Sequence, residues 1–239
     1  MQISKRQKEI LNGVIKEYID SAQPVSSQLF KKRYGFGISP ATIRSEMQAL
    51  TQKGYLSQPH TSAGRIPADK GYRFFVDRLF SLNNDDLDKD FIEKFQEMKK
   101  EIEDDLRFIQ LLTKNLASAS SNLAVSYFLE REFFWKEGWQ ELFQEPEFRD
   151  FAFNLRFVRM VDNLEKEIKE LISDDFLTPK IYIGKENPIS RSEDFSMIIS
   201  RCSFPENQKG ALMILGPKRM SYQRNISLIN SVVKFLEEH

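Results

Sequence analysis

Residues 38–50 have the sequence Ile-Ser-Pro-Ala-Thr-Ile-Arg-Ser-Glu-Met-Gln-Ala-Leu, and this stretch decides how the first third of the chain folds. The hydroxyl of Ser39 can accept a hydrogen bond from a free amide of a first helical turn, and Pro40 fits the first helical position. Apolar residues then recur at i, i+4 and i+7, namely Ile43, Met47 and Leu50. The spacing predicts a helix that begins at Pro40 and buries one apolar stripe.

The opposite face of this helix is small and polar. It carries Ala41, Arg44, Ser45 and Gln48, with Thr42 at its flank. Such a surface fits the major groove of DNA, where side chains can bond to base edges and phosphates. An ordinary solvated face is the alternative, and the surrounding sequence has to distinguish the two.

Two shorter helical patterns precede this helix. Ser4 and Gln7 have the spacing of a capping box, which predicts a first helix that runs to about Ser21. Ser26 or Ser27 can cap a second, short helix, and Gly35 or Gly37 can end it in a left-handed conformation.

A short hairpin and a fourth helix are predicted to follow. Residues 55–58 alternate like a strand, 59–64 form a turn, 65–66 return as a second strand, and a helix begins at 67–69. Three helices followed by a two-stranded hairpin is the order of a winged helix-turn-helix, so we predict a DNA-binding domain over residues 1–80.

Candidate DNA contacts come from the third helix, the hairpin and nearby cations. The residues predicted to contact bases are Thr42, Arg44, Ser45 and Gln48. The residues predicted to hold phosphates or lie in the wing are Lys32, Arg33, Ser39, His60, Ser62, Arg65, Lys70 and Arg73. Ordinary turn chemistry is the alternative for His60 and Ser62, and a solvated position is the alternative for Lys70 and Arg73.

The charge of the chain is unevenly distributed. Residues 1–80 contain 13 Lys and Arg against 6 Asp and Glu, whereas the remainder contains 22 against 29. A basic first segment joined to an acidic body indicates that the first segment meets a polyanion.

Residues 81–122 are predicted to form an acidic linker and then one long amphipathic helix. Apolar residues recur every three or four positions from Phe91 to Leu116. The candidates for a dimer surface on this helix are Phe95, Met98, Ile102 and Ile109. Packing within the same chain is the alternative.

The remainder, 123–239, has the pattern of an α+β sheet domain, to which we assign dimerisation or regulation. Residues 123–129 fit a strand or a helix end equally well, and 133–135 fit a short strand. A helix is predicted over 149–172, and a last helix carries Ile226 to Leu236. Three apolar runs bounded by turn residues predict buried strands: 181–184, 195–200 and 211–216.

Several of these segments resemble one protein family. The matching runs are Ser39-Pro-Ala-Thr-Ile-Arg44, Gln58-Pro-His-Thr-Ser-Ala-Gly-Arg-Ile-Pro67 and Asp69-Lys-Gly-Tyr-Arg73, followed by Leu215-Gly-Pro-Lys-Arg-Met-Ser-Tyr222 near the end. They are similar to the HrcA family of heat-inducible transcription repressors. The chain departs from the family by a shorter middle, where the family carries an inserted dimerisation segment, and by Ser45 and Glu46, where Asn and Asp are usual.

The resemblance implies a function and partners that spacing alone does not give. It implies a GAF-like C-terminal domain, an inverted-repeat operator upstream of chaperone genes that a dimer binds, loss of repression on heat stress, and maintenance by the GroE chaperonin. The departures leave the manner of dimerisation and the operator preference open.

Nothing in the sequence supports catalysis, a cofactor or a metal. The single cysteine, Cys202, fits a small buried residue, and the two histidines, His60 and His239, have no metal-ligand spacing. The chain has no signal-peptide pattern and no apolar run of membrane-spanning length, so we expect a cytoplasmic protein that does not enter a membrane.

The sequence therefore predicts a dimeric, sequence-specific repressor that binds duplex DNA. A ligand-sensing winged-helix regulator and a scaffold whose winged helix contacts other proteins are the alternative functions. The shortened middle favours a marginal dimer that separates on warming.

Overall fold

Two units make up the computed structural model of the chain, Met1–Asn84 and Asp85–His239. The structure describes residues 3–35, 37–81, 87–173, 178–189 and 193–238. The acidic stretch 83–86, predicted to be a linker, lies outside the described residues. Among the helices that are described, none combines the length and the apolar character that crossing a bilayer requires.

Helices form most of the first unit. They are α1 (Lys5–Ser21), α2 (Ser27–Tyr34), α3 (Pro40–Gln52) and α4 (Asp69–Ser81). Strands β1 (Leu56–Ser57) and β2 (Ile66–Pro67) pair antiparallel between α3 and α4. The helix starts agree with the capping predictions, because Ser4, Ser26 and Ser39 each accept a hydrogen bond from a first-turn amide.

The core of this unit is built from the apolar faces of its elements. The fully buried side chains include Ile10, Leu11, Val14, Ile15, Phe30, Ile43, Leu50 and Val76. Removing these side chains from water supplies the main driving force for folding. The polar face of α3 is consequently left on the outside.

The second unit is built on a five-stranded antiparallel sheet with the order β4-β3-β7-β6-β5. The strands are β3 (Leu123–Phe128), β4 (Phe133–Glu137), β5 (Lys180–Ile183), β6 (Phe195–Phe204) and β7 (Gln208–Pro217). The helices are α5 (Lys89–Glu101), α6 (Asp105–Ser120), α7 (Trp139–Leu142), α8 (Phe151–Leu171) and α9 (Tyr222–Glu238). Residues 123–128 are therefore a strand, which settles the alternative that the sequence left open.

Helices cover both faces of this sheet. Phe195, Met197 and Ile199 belong to one apolar cluster with the buried residues of α8. Ser196 points to the other face, where its hydroxyl lies 2.8 Å from the Tyr222 hydroxyl of α9. This alternation is the two-residue period of a strand, and it places the core on both sides of the sheet.

The prediction of one long helix after the linker was wrong, because α5 and α6 are separate. Ile102 has extended backbone angles, φ −119 and ψ 106. The Asp104 carboxylate then caps α6 by accepting a hydrogen bond of 2.6 Å from the Arg107 amide. Both helices bury their apolar sides against Phe235 of α9, at ring distances of 5.9 Å from Phe95 and from Phe108. The apolar period therefore continues across the break.

The same packing changes the expected dimer surface. Phe95 and Ile109 are buried within their own unit, so neither side chain is available to a second copy. Met98 and Ile102 are half-buried. The dimer candidates on this segment thus include two core residues, and packing within the chain accounts for them.

Candidate nucleic-acid interface

The exposed face of α3 matches the sequence prediction. Ile43, Met47 and Leu50 are buried, and the side chains of Arg44, Ser45 and Gln48 are exposed. The Ser39 hydroxyl accepts a hydrogen bond of 3.1 Å from the Thr42 amide. It also lies 2.9 Å from the Thr42 hydroxyl. Ser39 thus holds the first turn of α3 in place, and Thr42 lies half-buried beside it.

Glu46 lies on the side of α3 that meets α1. Its carboxylate accepts a hydrogen bond of 2.9 Å from Gln7 and lies 3.5 Å from the Arg6 guanidinium. The departure from the family pattern at Glu46 therefore falls at a contact between helices. The departure at Ser45 falls on the exposed face.

Arg65 is not at the free tip of the hairpin. Its side chain is only 9% exposed. The guanidinium donates hydrogen bonds of 2.7 Å to Gln48 Oε1 and 3.1 Å to Thr51 Oγ1, both on α3. Burial, and secondly the charge of Arg44, lower the pKa of Arg65. Nε and one amino nitrogen of Arg65 are thus engaged with α3, and the phosphate or wing role of Arg65 stays a prediction.

The tip of the hairpin is a turn held by its own hydrogen bonds. Gln58 Nε2 donates to the carbonyl oxygens of Thr61 and Ala63, at 2.8 and 3.0 Å. The Ser62 hydroxyl lies 3.4 Å from His60 Nδ1, and both side chains are exposed. His60 and Ser62 therefore contact each other within the turn, and both side chains are also exposed to solvent.

The other predicted phosphate contacts differ in how they are held. Lys32 is exposed, and Arg33 lies 3.7 Å from the Glu17 carboxylate. Lys70 Nζ donates a hydrogen bond of 2.9 Å to the Lys53 carbonyl and lies 4.4 Å from the centre of the Tyr55 ring. Arg73 lies 3.4 Å from Asp77, one turn further along α4. The Arg73–Asp77 pair is largely exposed, and such pairs are weak, so Arg73 can exchange the carboxylate for a phosphate at small cost. Glu17 is buried, so Arg33 also balances the charge of a buried carboxylate.

A cavity of 180 Å³ opens between the start of α2, the exposed side of α3 and the hairpin. Its lining includes Ser26, Ser27, Arg44, Ser62, Gly64 and Arg65. Two guanidinium groups and the positive end of a helix dipole give this concave surface a favourable potential for an anion.

Sequence reasoning missed three residues that shape this surface. Gln58 holds the turn, Thr51 receives Arg65, and Val25 pairs with Arg65 through two backbone hydrogen bonds of 2.9 Å. These contacts join residues from 3 to 40 positions apart in the chain, as the numbering shows. No local periodicity reports such pairs.

Comparison with known proteins adds independent information. The family model described as HrcA protein C terminal domain matches residues 70–226. A heat-inducible transcription repressor HrcA from Caldanaerobacter subterraneus is 28% identical over 334 residues, which cover 99% of this chain and 96% of the relative. Another of the same name, from Desulforudis audaxviator, is 56% identical over 79 residues, 33% of this chain and 23% of the relative.

One solved structure has the same fold. It is described as a hypothetical protein, and it aligns with a TM-score of 0.79 and 20% identity over 99% of this chain and 98% of its own. The alignment with the Caldanaerobacter relative is 334 residues long, whereas this chain has 239 residues. The relative therefore carries residues inside the alignment that have no counterpart here.

Proposed function

Because the chain belongs to the HrcA family of heat-inducible transcription repressors, we propose that it represses heat-shock genes by binding duplex DNA through its first unit. The family is one of transcriptional repressors and not of enzymes. In this proposal α1, α2 and α3 form a winged helix-turn-helix, with β1 and β2 as its wing. The sheet unit is the GAF-like domain that the family resemblance implies.

The exposed polar side of α3 carries the proposal. A helix whose apolar side is fully used in its own core, and whose other side presents Arg44, Ser45 and Gln48, has the dimensions and the donors that the major groove accepts. The excess of cations in residues 1–80 supplies the attraction to phosphates. Thr42 completes the proposed base-contacting set.

Phosphate contacts are assigned to the residues around that helix. We assign this role to Lys32, Arg33, His60, Ser62, Lys70 and Arg73. Ser39 contributes by capping the start of α3, and Arg65 contributes by holding Gln48 and Thr51 of α3. These contacts fix the register of the protein on DNA, and the side chains of α3 provide the sequence preference.

A dimer is the form that we propose to bind DNA. Two-fold symmetry in the protein matches an inverted repeat, with one recognition helix on each half-site. The second copy needs an apolar surface to cover, and α8 offers one. Phe151, Leu155 and Val158 recur at i, i+4 and i+7 and are 74%, 43% and 39% exposed.

A second copy of the chain is the occupant that we propose for this stripe. When two α8 helices pair antiparallel about a two-fold axis, Phe151 of each copy meets Val158 of the other, and Leu155 lies between them. The stripe is then covered on both copies by the same three side chains.

Heat release follows from the same proposal. A dimer held by a small apolar contact separates on modest warming. The two DNA-binding units then no longer bind the operator as a pair. The chaperonin partner and the cytoplasmic location stay predictions.

Selection of bound sites from random duplexes tests the proposed function. We expect purified protein to enrich two copies of one short sequence in inverted orientation, about one helical turn or a multiple of it apart. Enrichment of single, unpaired sites contradicts the dimer. Failure to enrich any sequence in dilute buffer contradicts sequence-specific DNA binding.

A further inference from the structure

The side-chain amide of Gln48 has a fixed orientation. Arg65 donates to it across 2.7 Å. A guanidinium group has only donors, so the Gln48 atom that faces it is the oxygen Oε1 and not the nitrogen. The amide nitrogen, with its two hydrogens, is therefore the group of Gln48 that is turned away from Arg65.

The group that imposes this orientation is itself held at several points. Thr51 donates its hydroxyl hydrogen to the Met47 carbonyl at 2.9 Å, so a lone pair of Thr51 Oγ1 accepts from Arg65 Nε at 3.1 Å. The backbone of Arg65 bonds to Val25 in both directions, at 2.9 Å each. The backbone of Arg65 is thus fixed beside Val25, and Thr51 holds its guanidinium at a second point besides Gln48.

We propose that Arg65 is a positioning residue that sets Gln48 to recognise guanine in preference to adenine. The inference rests on the proposed binding of DNA by α3. Guanine presents two acceptors in the major groove, N7 and O6, which suit an NH₂ group with two hydrogens. The usual contact of glutamine with adenine also needs the amide oxygen to accept from N6. Here one lone pair of that oxygen already accepts a charge-assisted hydrogen bond, which holds the oxygen toward Arg65.

Site selection with single variants tests this inference. The base position that Gln48 contacts is the one whose preference disappears in Gln48→Ala. At that position we expect guanine in the wild-type selection. In Arg65→Met the amide is free to turn, and we expect the preference for guanine over adenine to fall by about tenfold or to reverse.

The double variant distinguishes positioning from a general structural role. In a Gln48→Ala background, Arg65→Met should change no base preference, because the amide that Arg65 orients is absent. Far-ultraviolet circular dichroism and thermal melts of each variant check that the first unit remains folded. Should Arg65→Met lose the fold, Arg65→Lys provides the second variant, since it keeps the charge but cannot bond to Gln48 and Thr51 together. Because an ammonium group still has only donors, we expect a smaller fall in the guanine preference than in Arg65→Met.

Three outcomes would overturn the inference. They are adenine at the Gln48 position in the wild type, an unchanged preference in folded Arg65→Met, and the absence of any position that depends on Gln48. In each of them the protein still selects specific DNA, so the proposed function survives. Loss of all sequence selection in the wild type would instead overturn the proposed function.

Discussion

At the scale of the residue, Cys202 shows how its surroundings suppress a reactive group. It lies in β6 and is buried. Burial, and secondly the nearby charge of Glu237, raise the pKa of the thiol well above its ordinary value. Because the thiolate is the reactive form, the folded protein holds its single cysteine in an inert state.

We therefore expect Cys202 to react with a disulfide reagent at pH 8 at least about a hundredfold more slowly in the folded protein than in denaturant. The raised pKa keeps the thiol protonated at this pH, and burial excludes the reagent. Absorbance of the released thiolate measures the rate. Equal rates in buffer and in denaturant would show that the site opens freely.

Residues whose role is set by one helix could be predicted from the sequence. The buried and exposed sides of α3 follow from the spacing of Ile43, Met47 and Leu50. Arg65 could not be predicted in the same way. A motif places it on the hairpin, but a two-residue strand does not reveal whether its side chain turns toward solvent or toward α3.

At the scale of the element, the hairpin is seated against the start of α2 by a close backbone approach. A Cβ atom at Gly64 would lie 2.5 Å from the carbonyl carbon of Val25 and 2.6 Å from its oxygen. No side chain can relieve that overlap, because both atoms belong to the backbone. Gly64 therefore permits the paired backbone bonds between Val25 and Arg65.

Gly64→Ala should destabilise the chain by about 1–3 kcal/mol, because the methyl group forces the hairpin away from α2. Urea unfolding followed by circular dichroism measures the loss. Gly37→Ala is the matched control, since a Cβ atom there has nothing within 4 Å. Equal stability of the two variants would contradict the close approach.

The break between α5 and α6 shows what an apolar period cannot reveal. Both helices turn the same kind of face toward α9, so the spacing of apolar residues continues through Ile102. Asp104 is the local sign of the break, because its carboxylate starts a new helix. Acidic side chains are common along exposed helix faces, and that made this cap hard to recognise.

At the scale of the whole molecule, the proposed repressor acts as a pair of chains. Leu155→Glu should shift the protein toward monomer by at least about tenfold in dissociation constant, because it places a charge in the apolar stripe of α8. Leu106→Glu is a matched control, since Leu106 and Leu155 are each 43% exposed. Sedimentation velocity measures the fractions of monomer and dimer. Dimerisation of Leu155→Glu at the wild-type concentration would contradict the role of α8.

The family could be identified from the sequence because its motifs lie in contiguous runs, such as residues 58–67. The surface that would bind a second copy could not be identified from the sequence. The long amphipathic pattern pointed to residues 91–116, yet Phe95 and Ile109 are core residues there. Only the packed structure distinguishes an apolar side chain that the chain covers from one that it leaves exposed.

Titration of the selected duplex shows whether the exposed side of α3 binds DNA. The wild type, Arg44→Ala and Arg224→Ala are compared by fluorescence anisotropy at one fixed salt concentration. Arg224 is an exposed arginine of the second unit, so its loss changes charge without touching α3. We expect Arg44→Ala to weaken binding by about ten- to a hundredfold and Arg224→Ala to bind as the wild type does. Wild-type affinity in folded Arg44→Ala would contradict it.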